Sequence, residues 1–266
     1  MITERTAMSA TTTPFPKAVI FDAYGTLFDV HSVVAAAEQL FAGHGIALSQ
    51  LWRQKQIEYT QLRTLSDPEG GARYQPFWNV TLDALRFSAR KLGLPLTATG
   101  EKRLMDEYAC LSAFPDVLPV LRQLRARNSS NSAGGAPGLA ILSNGNPQML
   151  DIAIKSAGMT GLFDHVLSVD AVRAYKPSPA AYALGTQAFG AAPRDIVFVS
   201  SNGWDAAGAG WFGYTTFWIN RQGAPAEELG VRPDGTGSGM AELAAFLETH
   251  APPDRSAARV RHSPGA

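Results

Sequence analysis

Four short apolar runs, bounded by glycine, proline, serine or asparagine, recur along the chain. They are residues 17–21 (KAVIF), 138–142 (GLAIL), 195–199 (DIVFV) and 215–219 (TTFWI). Runs of this length and composition predict buried strands of a parallel sheet. Apolar residues at helical spacing lie between these runs, in residues 117–127, 147–157, 179–189 and 205–211. The alternation of strands and helices predicts an α/β fold: a doubly wound, Rossmann-like parallel sheet.

Residues 29–112 show helical spacing repeatedly and no convincing strand. The helices expected in this interval are residues 32–42, 49–65, 77–92 and 99–111. Because the first strand precedes this block and the other strands follow it, the block predicts a helical cap subdomain inserted into the core. The core domain then comprises residues 17–28 and 113–248, and a cleft is expected between the two parts.

Three segments have the composition of unstructured chain. Residues 1–16 are rich in threonine and proline and have no apolar stretch, so we expect a disordered leader. Residues 128–138 (NSSNSAGGAPG) predict a flexible connection, and residues 249–266 predict a flexible tail.

Charge and cysteine content limit the possible partners. The 266 residues include 23 Lys and Arg against 23 Asp and Glu, so the net charge is zero and nucleic acid and anionic membranes are poor candidates for partners. No apolar window is long enough to span a bilayer. The single cysteine, Cys110, cannot form an intrachain disulfide, as suits a cytoplasmic protein, and we expect it to be a small buried hydrophobe.

Polar residues follow the predicted strands where a parallel sheet binds its ligands, at the carboxyl ends. They are Asp22, Tyr24 and Thr26 after the first strand, Ser143 and Asn144 after the second, and Ser200, Ser201, Asn202 and Asp205 after the third. Asp22 is ionised at neutral pH and could attack carbon or phosphorus directly. Lys176, in the YKP segment, is expected to be its charge partner. At Ser143 and Asn144, amides at a helix start could hold an anion, although simple helix capping would explain the same residues.

The motifs, taken in order, resemble those of a known superfamily. FDAYGTLFDV, LSNG, YKP and VSSNGWD are similar to the four motifs of the haloacid dehalogenase superfamily. The segments HSVV, LWRQKQ and WINR narrow the resemblance to the L-2-haloacid dehalogenases, over residues 17–221. The resemblance implies hydrolysis of short L-2-haloalkanoic acids to 2-hydroxy acids and halide, with inversion and through an ester on Asp22.

Two positions depart from the phosphatases of that superfamily, which hold Mg²⁺ with an Asp-x-Asp pair and a further acidic group. Tyr24 stands at the second aspartate position, and Ser201 or Asn202 stands at the later acidic position. Because Mg²⁺ needs oxygen anions, we expect neither a metal nor any other cofactor. No phosphate-binding glycine loop is present to suggest a nucleotide.

The resemblance also implies a role for each site residue. The implied catalytic residues are Asp22, Thr26, Arg53, Lys176, Tyr182, Ser200, Asn202 and Asp205. The implied substrate-binding residues are Ala23, Tyr24, Arg53, Gln54, Ile57, Phe77, Ser143, Asn144 and Trp204. Arg53 would receive the leaving halide, and the amides of Ala23 and Tyr24 would help to hold the substrate carboxylate.

Two alternatives remain open at this point. One is a Mg²⁺-dependent phosphatase of the same fold, and the other is a binding protein that kept the fold without turnover. The partners that the resemblance implies are a small halogenated carboxylic acid as substrate and halide as product, with no nucleic acid and no membrane. The resemblance also implies a homodimer.

Overall fold

The computed structural model describes residues 16–67, 71–130 and 137–249 of the chain. Its centre is one parallel sheet with the strand order β3-β2-β1-β4-β5-β6. The strands are β1 (Ala18–Phe21), β2 (Gly138–Ser143), β3 (His165–Ser168), β4 (Ile196–Ser200), β5 (Thr215–Ile219) and β6 (Gly235–Gly237). The doubly wound α/β fold expected from the sequence is confirmed.

Helices cover the sheet and form the cap. Those within the described residues are α1 (Val34–Leu40), α2 (Gly45–Leu65), α3 (Phe77–Lys91), α4 (Ala98–Ala109), α5 (Val117–Ser130), α6 (Pro147–Ser156), α7 (Pro179–Phe189), α8 (Gly203–Phe212) and α9 (Met240–Thr249). No described helix has the length and apolar character needed to cross a membrane.

Strand β1 lies at the middle of the sheet because it is apolar on both faces. All four of its side chains are fully buried, as expected for a parallel strand covered by helices on both sides. Phe21 pairs with Ile141 of β2 and with Val199 of β4. The residue that follows β1 therefore emerges between the ends of β2 and β4.

Helices α1–α4 follow β1 in the chain and pack together as the helical cap. Trp52 of α2 is buried and donates its indole N–H to the carbonyl of Thr81 in α3, at 2.7 Å. Tyr108 of α4 packs against the Trp52 ring, with the ring centres 5.1 Å apart. The buried face of α2 is thus held against two other helices, which fixes the direction in which its polar residues point toward the sheet.

The sequence missed three elements of the core. Strand β3 has only four residues and lies at the sheet edge, where Val166 is 45% exposed, so its apolar pattern is weak. Strand β6 is Gly-Thr-Gly and has no apolar side chain at all. Helix α9 was not anticipated, and it ends at Thr249, inside the tail expected from residue 249 onward.

Other expectations need correction or fall outside the described residues. Residues 128–130 complete helix α5 and Gly138 begins β2, so the expected flexible connection is wrong at both of its ends. Cys110 is exposed rather than buried, because α4 ends at Ala109 and Cys110 follows as its C-cap. The leader up to residue 15, the middle of the connection and the tail beyond residue 249 lie outside the described residues.

Candidate active site

Asp22 is the first residue after β1 and is only 6% exposed. Its amide donates to the carbonyl of Val199 at 2.9 Å, which continues the pairing of β1 with β4 by one residue. Its Oδ1 accepts a hydrogen bond from Lys176 Nζ at 3.0 Å. Its Oδ2 accepts from Thr26 Oγ1 and from Asn202 Nδ2, each at 2.9 Å. Donors from three separate loops therefore orient the carboxylate and compensate for its burial.

A second carboxylate lies on the other side of Lys176. Asp205, in the first turn of α8, is fully buried and accepts from Lys176 Nζ at 2.9 Å and from Tyr182 Oη at 2.8 Å. Burial lowers the pKa of Lys176, but Asp205 and Asp22 outweigh this effect, so its pKa lies above the ordinary value and the ammonium is charged at neutral pH. Burial raises the pKa of Asp205, with Lys176 acting against it. The ammonium is the charge that allows both carboxylates to lie inside the protein.

The last residue of β4 and the two residues after it connect this charged group to the loop that follows β1. The buried Ser200 hydroxyl accepts the Asn202 amide at 3.1 Å, and the Ser201 amide donates to Thr26 Oγ1 at 2.8 Å. The Asn202 side chain also donates to the carbonyl of Tyr24, at 3.2 Å. These bonds hold the two loops at a fixed distance and so fix the approach to Asp22.

The end of β2 and the residue after it form another wall. Ser143 is buried and its hydroxyl accepts the amide of Gly145 at 3.0 Å. Asn144 Oδ1 accepts the amide of Lys176, also at 3.0 Å, which ties this wall to the lysine loop. Helix α6 begins beyond them at Pro147, with Asn146 as its N-cap, so Ser143 and Asn144 precede the helix and do not cap it directly.

The cap contributes Arg53 from helix α2. Its Nη2 donates to the carbonyl of Tyr24 at 3.0 Å and to Asn202 Oδ1 at 3.1 Å. Its Nη1 donates to Gln56 Oε1 at 2.7 Å. The guanidinium therefore crosses from the cap to the core directly above the Asp22 loop.

Gln56 is a site residue that the sequence analysis did not identify. It is fully buried, accepts from Tyr108 Oη at 3.0 Å and donates to Thr81 Oγ1 at 2.6 Å. A buried glutamine bonded on every side fixes the direction of the guanidinium next to it. Its place in the sequence, three residues after Arg53 on the same helix face, was the available signal.

Between Arg53 and Asp22 lies a cavity of about 10 Å³. It is lined by Asp22, Tyr24, Arg53, Ile57, Thr60, Phe77, Ser143, Asn144, Asn202 and Trp204. Thr60 is the lining residue that the sequence analysis missed, although it lies two helical turns after Arg53. Gln54 was expected to bind substrate, and this expectation is wrong for the cavity described here: helix α2 turns the Gln54 side chain to solvent, outside the cavity wall. Ala23 is buried beneath the loop, and its carbonyl accepts the amides of Leu27 and Phe28.

Tyr24 supplies the apolar side of this cavity. Its ring lies 5.5 Å from Phe77 and 5.9 Å from Tyr108, measured between ring centres. Burial raises the pKa of Tyr24 well above its ordinary value, so the phenol keeps its proton. The Tyr24 hydroxyl is buried and has no hydrogen-bond partner among the described residues.

The donor set does not fit Mg²⁺. The two carboxylates of the site, Asp22 and Asp205, both bind the Lys176 ammonium. Within residues 16–67, 71–130 and 137–249, no group of three His, Cys, Asp or Glu side chains is arranged to hold a metal ion. A hard divalent cation would have to compete with a buried ammonium for the carboxylates that it needs.

Comparison with known proteins identifies the family of this chain. Residues 16–213 match the haloacid dehalogenase-like hydrolase family. An (S)-2-haloacid dehalogenase of Pseudomonas sp. (strain YL) is 47% identical over 88% of this chain and 96% of its own length.

Solved structures give the same assignment. The crystal structure of the L-2-haloacid dehalogenase RSc1362 is 61% identical, with a TM-score of 0.83, over 88% of this chain and 99% of that one. The Xanthobacter autotrophicus L-2-haloacid dehalogenase with chloropropionic acid covalently bound is 36% identical, with a TM-score of 0.77, over 88% and 98% of the two chains. On its sequence, its fold and the arrangement of its site, the chain belongs to the haloacid dehalogenase-like hydrolases and, among them, to the (S)-2-haloacid dehalogenases.

Proposed function

We propose that this protein hydrolyses short L-2-haloalkanoic acids to 2-hydroxy acids and halide, with Asp22 as the nucleophile and without a metal. The observation that carries the proposal is the buried Asp22 carboxylate, which is paired with a charged lysine and faces a cavity walled by Tyr24. A phosphatase of this fold would need a second carboxylate where Tyr24 stands, so that alternative has no support in the site.

In the first step an oxygen of Asp22 attacks the substrate α-carbon and the carbon–halogen bond breaks with its electron pair. The products of this step are an ester of the Asp22 side chain and a halide ion, formed with inversion at carbon. Arg53 would hold the departing halide, since its guanidinium lies opposite Asp22 across the cavity. Ser143, Asn144 and the amides of Ala23 and Tyr24 would hold the substrate carboxylate.

In the second step water attacks the carbonyl carbon of the ester. The acyl–oxygen bond breaks, the 2-hydroxy acid leaves and one proton is released. Lys176 would stabilise the negative charge that forms on the carbonyl oxygen, because its ammonium is already 3.0 Å from Asp22 Oδ1. Thr26 and Asn202 keep the carboxyl group in place, and Ser200 orients the Asn202 loop. Asp205, fixed by Tyr182, keeps the Lys176 ammonium pointed at Asp22.

The cavity sets the size of the substrate. Ile57, Phe77 and Trp204 would contact the alkyl group, and this wall suits short chains. A volume of about 10 Å³ has room for about one water molecule, so a haloalkanoate requires the Arg53 side chain or the cap to move away from the core. The boundaries proposed for the moving parts are residues 29–112 for the cap and 17–28 with 113–248 for the core.

The proposal is tested by measuring halide release and by following an oxygen isotope through one turnover. The wild-type protein in EDTA should release chloride from L-2-chloropropionate and not from the D form, and Asp22→Asn should not turn over. With enzyme in excess and a single turnover in ¹⁸O-labelled water, the label should enter Asp22 and not the 2-hydroxy acid, as measured by mass spectrometry of the protein.

The same test can contradict the proposal. Label in the product alone would mean that water attacks the α-carbon directly. Phosphate release from para-nitrophenyl phosphate that requires Mg²⁺, with no chloride release, would favour the phosphatase. The cap arginine is tested separately: Arg53→Ala should reduce halide release severely, and near-normal turnover would remove its proposed role.

Two further proposals concern the protein as a whole. We infer a homodimer, which is supported by the exposed apolar residues Ile46, Leu62 and Leu65 on helix α2. Light scattering during gel filtration would measure this mass directly, and a monomer at micromolar concentration would contradict it. We also infer a cytoplasmic location, as suits a chain with a single cysteine, to be tested by cell fractionation.

A further inference from the structure

A second, larger cavity lies on the other side of Arg53. Its volume is about 500 Å³, and it lies between the loop after β1, helix α2 and the segment after β5. Arg53, Ile57 and Asn202 line this cavity and also the small catalytic cavity. These three side chains therefore form a partition between the two cavities. The larger cavity has room for a small carboxylic acid, whereas the catalytic cavity in this conformation does not. We call the larger space the vestibule.

Arg221 lies in the wall of the vestibule with part of its guanidinium unused. The group stacks on the Phe114 ring, 4.2 Å from its centre, and its Nη1 donates to Asp116 Oδ2 at 2.8 Å. Its Nε and Nη2 are buried and have no hydrogen-bond partner among the described residues. These two nitrogens form one edge of the planar group, with two parallel N–H donors, which is the edge that a carboxylate binds with both oxygens.

No other described residue of the wall bonds to this edge. The nearest carboxylate, Asp116, uses one oxygen on Nη1 and leaves its own Oδ1 unpartnered in the described structure. Asp29 caps the amide of His31 at 2.9 Å, and Glu227 is exposed at the rim. Burying two N–H donors of the guanidinium without partners is costly, and an external anion would remove that cost.

We propose that the vestibule is a second anion site, which binds a small monocarboxylate on the Nε–Nη2 edge of Arg221 outside the catalytic cavity. The Ser201 hydroxyl, also buried, unpartnered and in the same wall, is a further donor. The identity of the natural ligand, haloalkanoate on entry or hydroxyalkanoate on exit, rests on the proposed function; the affinity for a carboxylate does not. Both Arg221 nitrogens lie beneath the surface, so binding involves a local shift of the wall.

Two tryptophans allow the two cavities to be observed separately. Trp218 lines the vestibule and Trp204 lines the catalytic cavity. In protein labelled with ¹⁵N-tryptophan, propionate serves as a carboxylate probe that cannot react. We expect the indole signal of Trp218, assigned by comparison with Trp218→Phe, to move and to saturate as propionate is added. The vestibule proposal is wrong if propionate moves the Trp204 signal alone.

Arg221→Met and Asp116→Asn are a matched pair because both break the same ion pair. If Arg221 binds the carboxylate, Arg221→Met weakens propionate binding at Trp218 about tenfold or more, while Asp116→Asn leaves it unchanged or tighter. If Arg221 has only a structural role, the two variants change the affinity alike, which would overturn the proposal. Arg221→Lys serves where Arg221→Met does not fold: it keeps the charge, loses the two-pronged edge and should also weaken binding.

Kinetics connect the site to turnover and keep the two proposals distinguishable. Where capture in the vestibule limits substrate entry, Arg221→Met should lower kcat/KM for L-2-chloropropionate about tenfold and leave kcat within about twofold, because kcat/KM then reports entry and kcat reports later steps. An unchanged kcat/KM would contradict a role of Arg221 in substrate capture during turnover. Absence of chloride release from the wild type would contradict the proposed function. The propionate titration needs no turnover, so it tests whether the vestibule binds a carboxylate whatever the outcome for the proposed function.

Discussion

Replacement of Lys176 by methionine tests the charge arrangement at the centre of the site. The ammonium lies 3.0 Å from Asp22 Oδ1 and 2.9 Å from Asp205 Oδ2, and all three side chains are buried. Methionine has a similar length and can fill the same space, so the substitution removes the charge with little change in packing. The variant keeps two negative groups in the interior with no positive charge between them.

The magnitude follows from these distances. At an effective dielectric constant of about 20, two unit charges 3 Å apart attract by about 5 kcal/mol, and two such attractions are lost. The cost of dehydrating the ammonium, several kcal/mol, is no longer incurred and offsets part of this loss. Removal of one partner from a buried ion pair costs about 3–5 kcal/mol, and we expect a decrease of that size in the free energy of unfolding at pH 7.

The assay is urea unfolding between about pH 5 and pH 8. Burial raises the pKa of Asp205, and without Lys176 the main opposing charge is gone, so the folded variant binds a proton more readily than the unfolded chain. Stability of Lys176→Met should therefore increase as the pH falls, and its deficit relative to wild type should be largest at pH 8. Turnover should be lost at all of these pH values, because the nucleophile loses its orienting charge.

Lys155→Met is the matched control. Lys155 forms a 2.8 Å ion pair with Asp151 on helix α6, but its side chain is 65% exposed, so the same substitution should cost less than about 1 kcal/mol. Equal losses in the two variants would refute the reasoning. A deficit of Lys176→Met that grew toward acid pH would refute it as well.

Three further predictions concern the surroundings of the site. Gln56→Met should lower kcat about tenfold and leave KM within about threefold in steady-state kinetics. The reason is that Arg53 loses a hydrogen bond worth about 1.5–3 kcal/mol. A change in KM alone would argue against a positioning role for Gln56. Gly145→Ala should lower stability by about 1–3 kcal/mol in urea, since the new methyl group would lie 2.6 Å from Tyr24 Cε2, and an unchanged midpoint would show that the Tyr24 ring yields freely. Burial lowers the pKa of His31 from 6.5, so as the pH falls below 6.5 the unfolded chain binds a proton more readily than the folded protein, and the wild type loses stability. His31→Gln removes this group and should lose less stability between about pH 6.5 and 5, as measured by urea unfolding. Plots of unfolding free energy against pH that run parallel for the two proteins would contradict this.

The sequence was sufficient where one physical signal dominated. The apolar runs before Asp22, Ser143 and Ser200 had no alternative to buried strands, and parallel strands bring their carboxyl ends together by geometry. The contact between Lys176 and Asp22, 154 residues apart in the chain, follows from that topology. The inserted helices were equally evident because their spacing never matched a strand.

The sequence was insufficient where the outcome depended on packing between elements. The rotation of α2 about its axis is set by Trp52 in the cap core, and this rotation exposes Gln54 and buries Gln56 and Thr60. Helical spacing alone predicts the rotation of α2 about its axis only to within about one residue, or 100°. Strands β3 and β6 were missed because their pairing comes from the neighbouring strand and not from their own side chains.

The polarity of the sheet gives this protein two functionally different ends. The site occupies the carboxyl ends of the strands, whereas Lys17 and Gly138 pair at the opposite end, about 17 Å away along β2. Lys17 is largely exposed, with its ammonium 3.1 Å from Asp195. That end is therefore a suitable place to immobilise the protein on a solid support through a lysine, since attachment there leaves the cap, the partition at Arg53 and the route to Asp22 facing the solution.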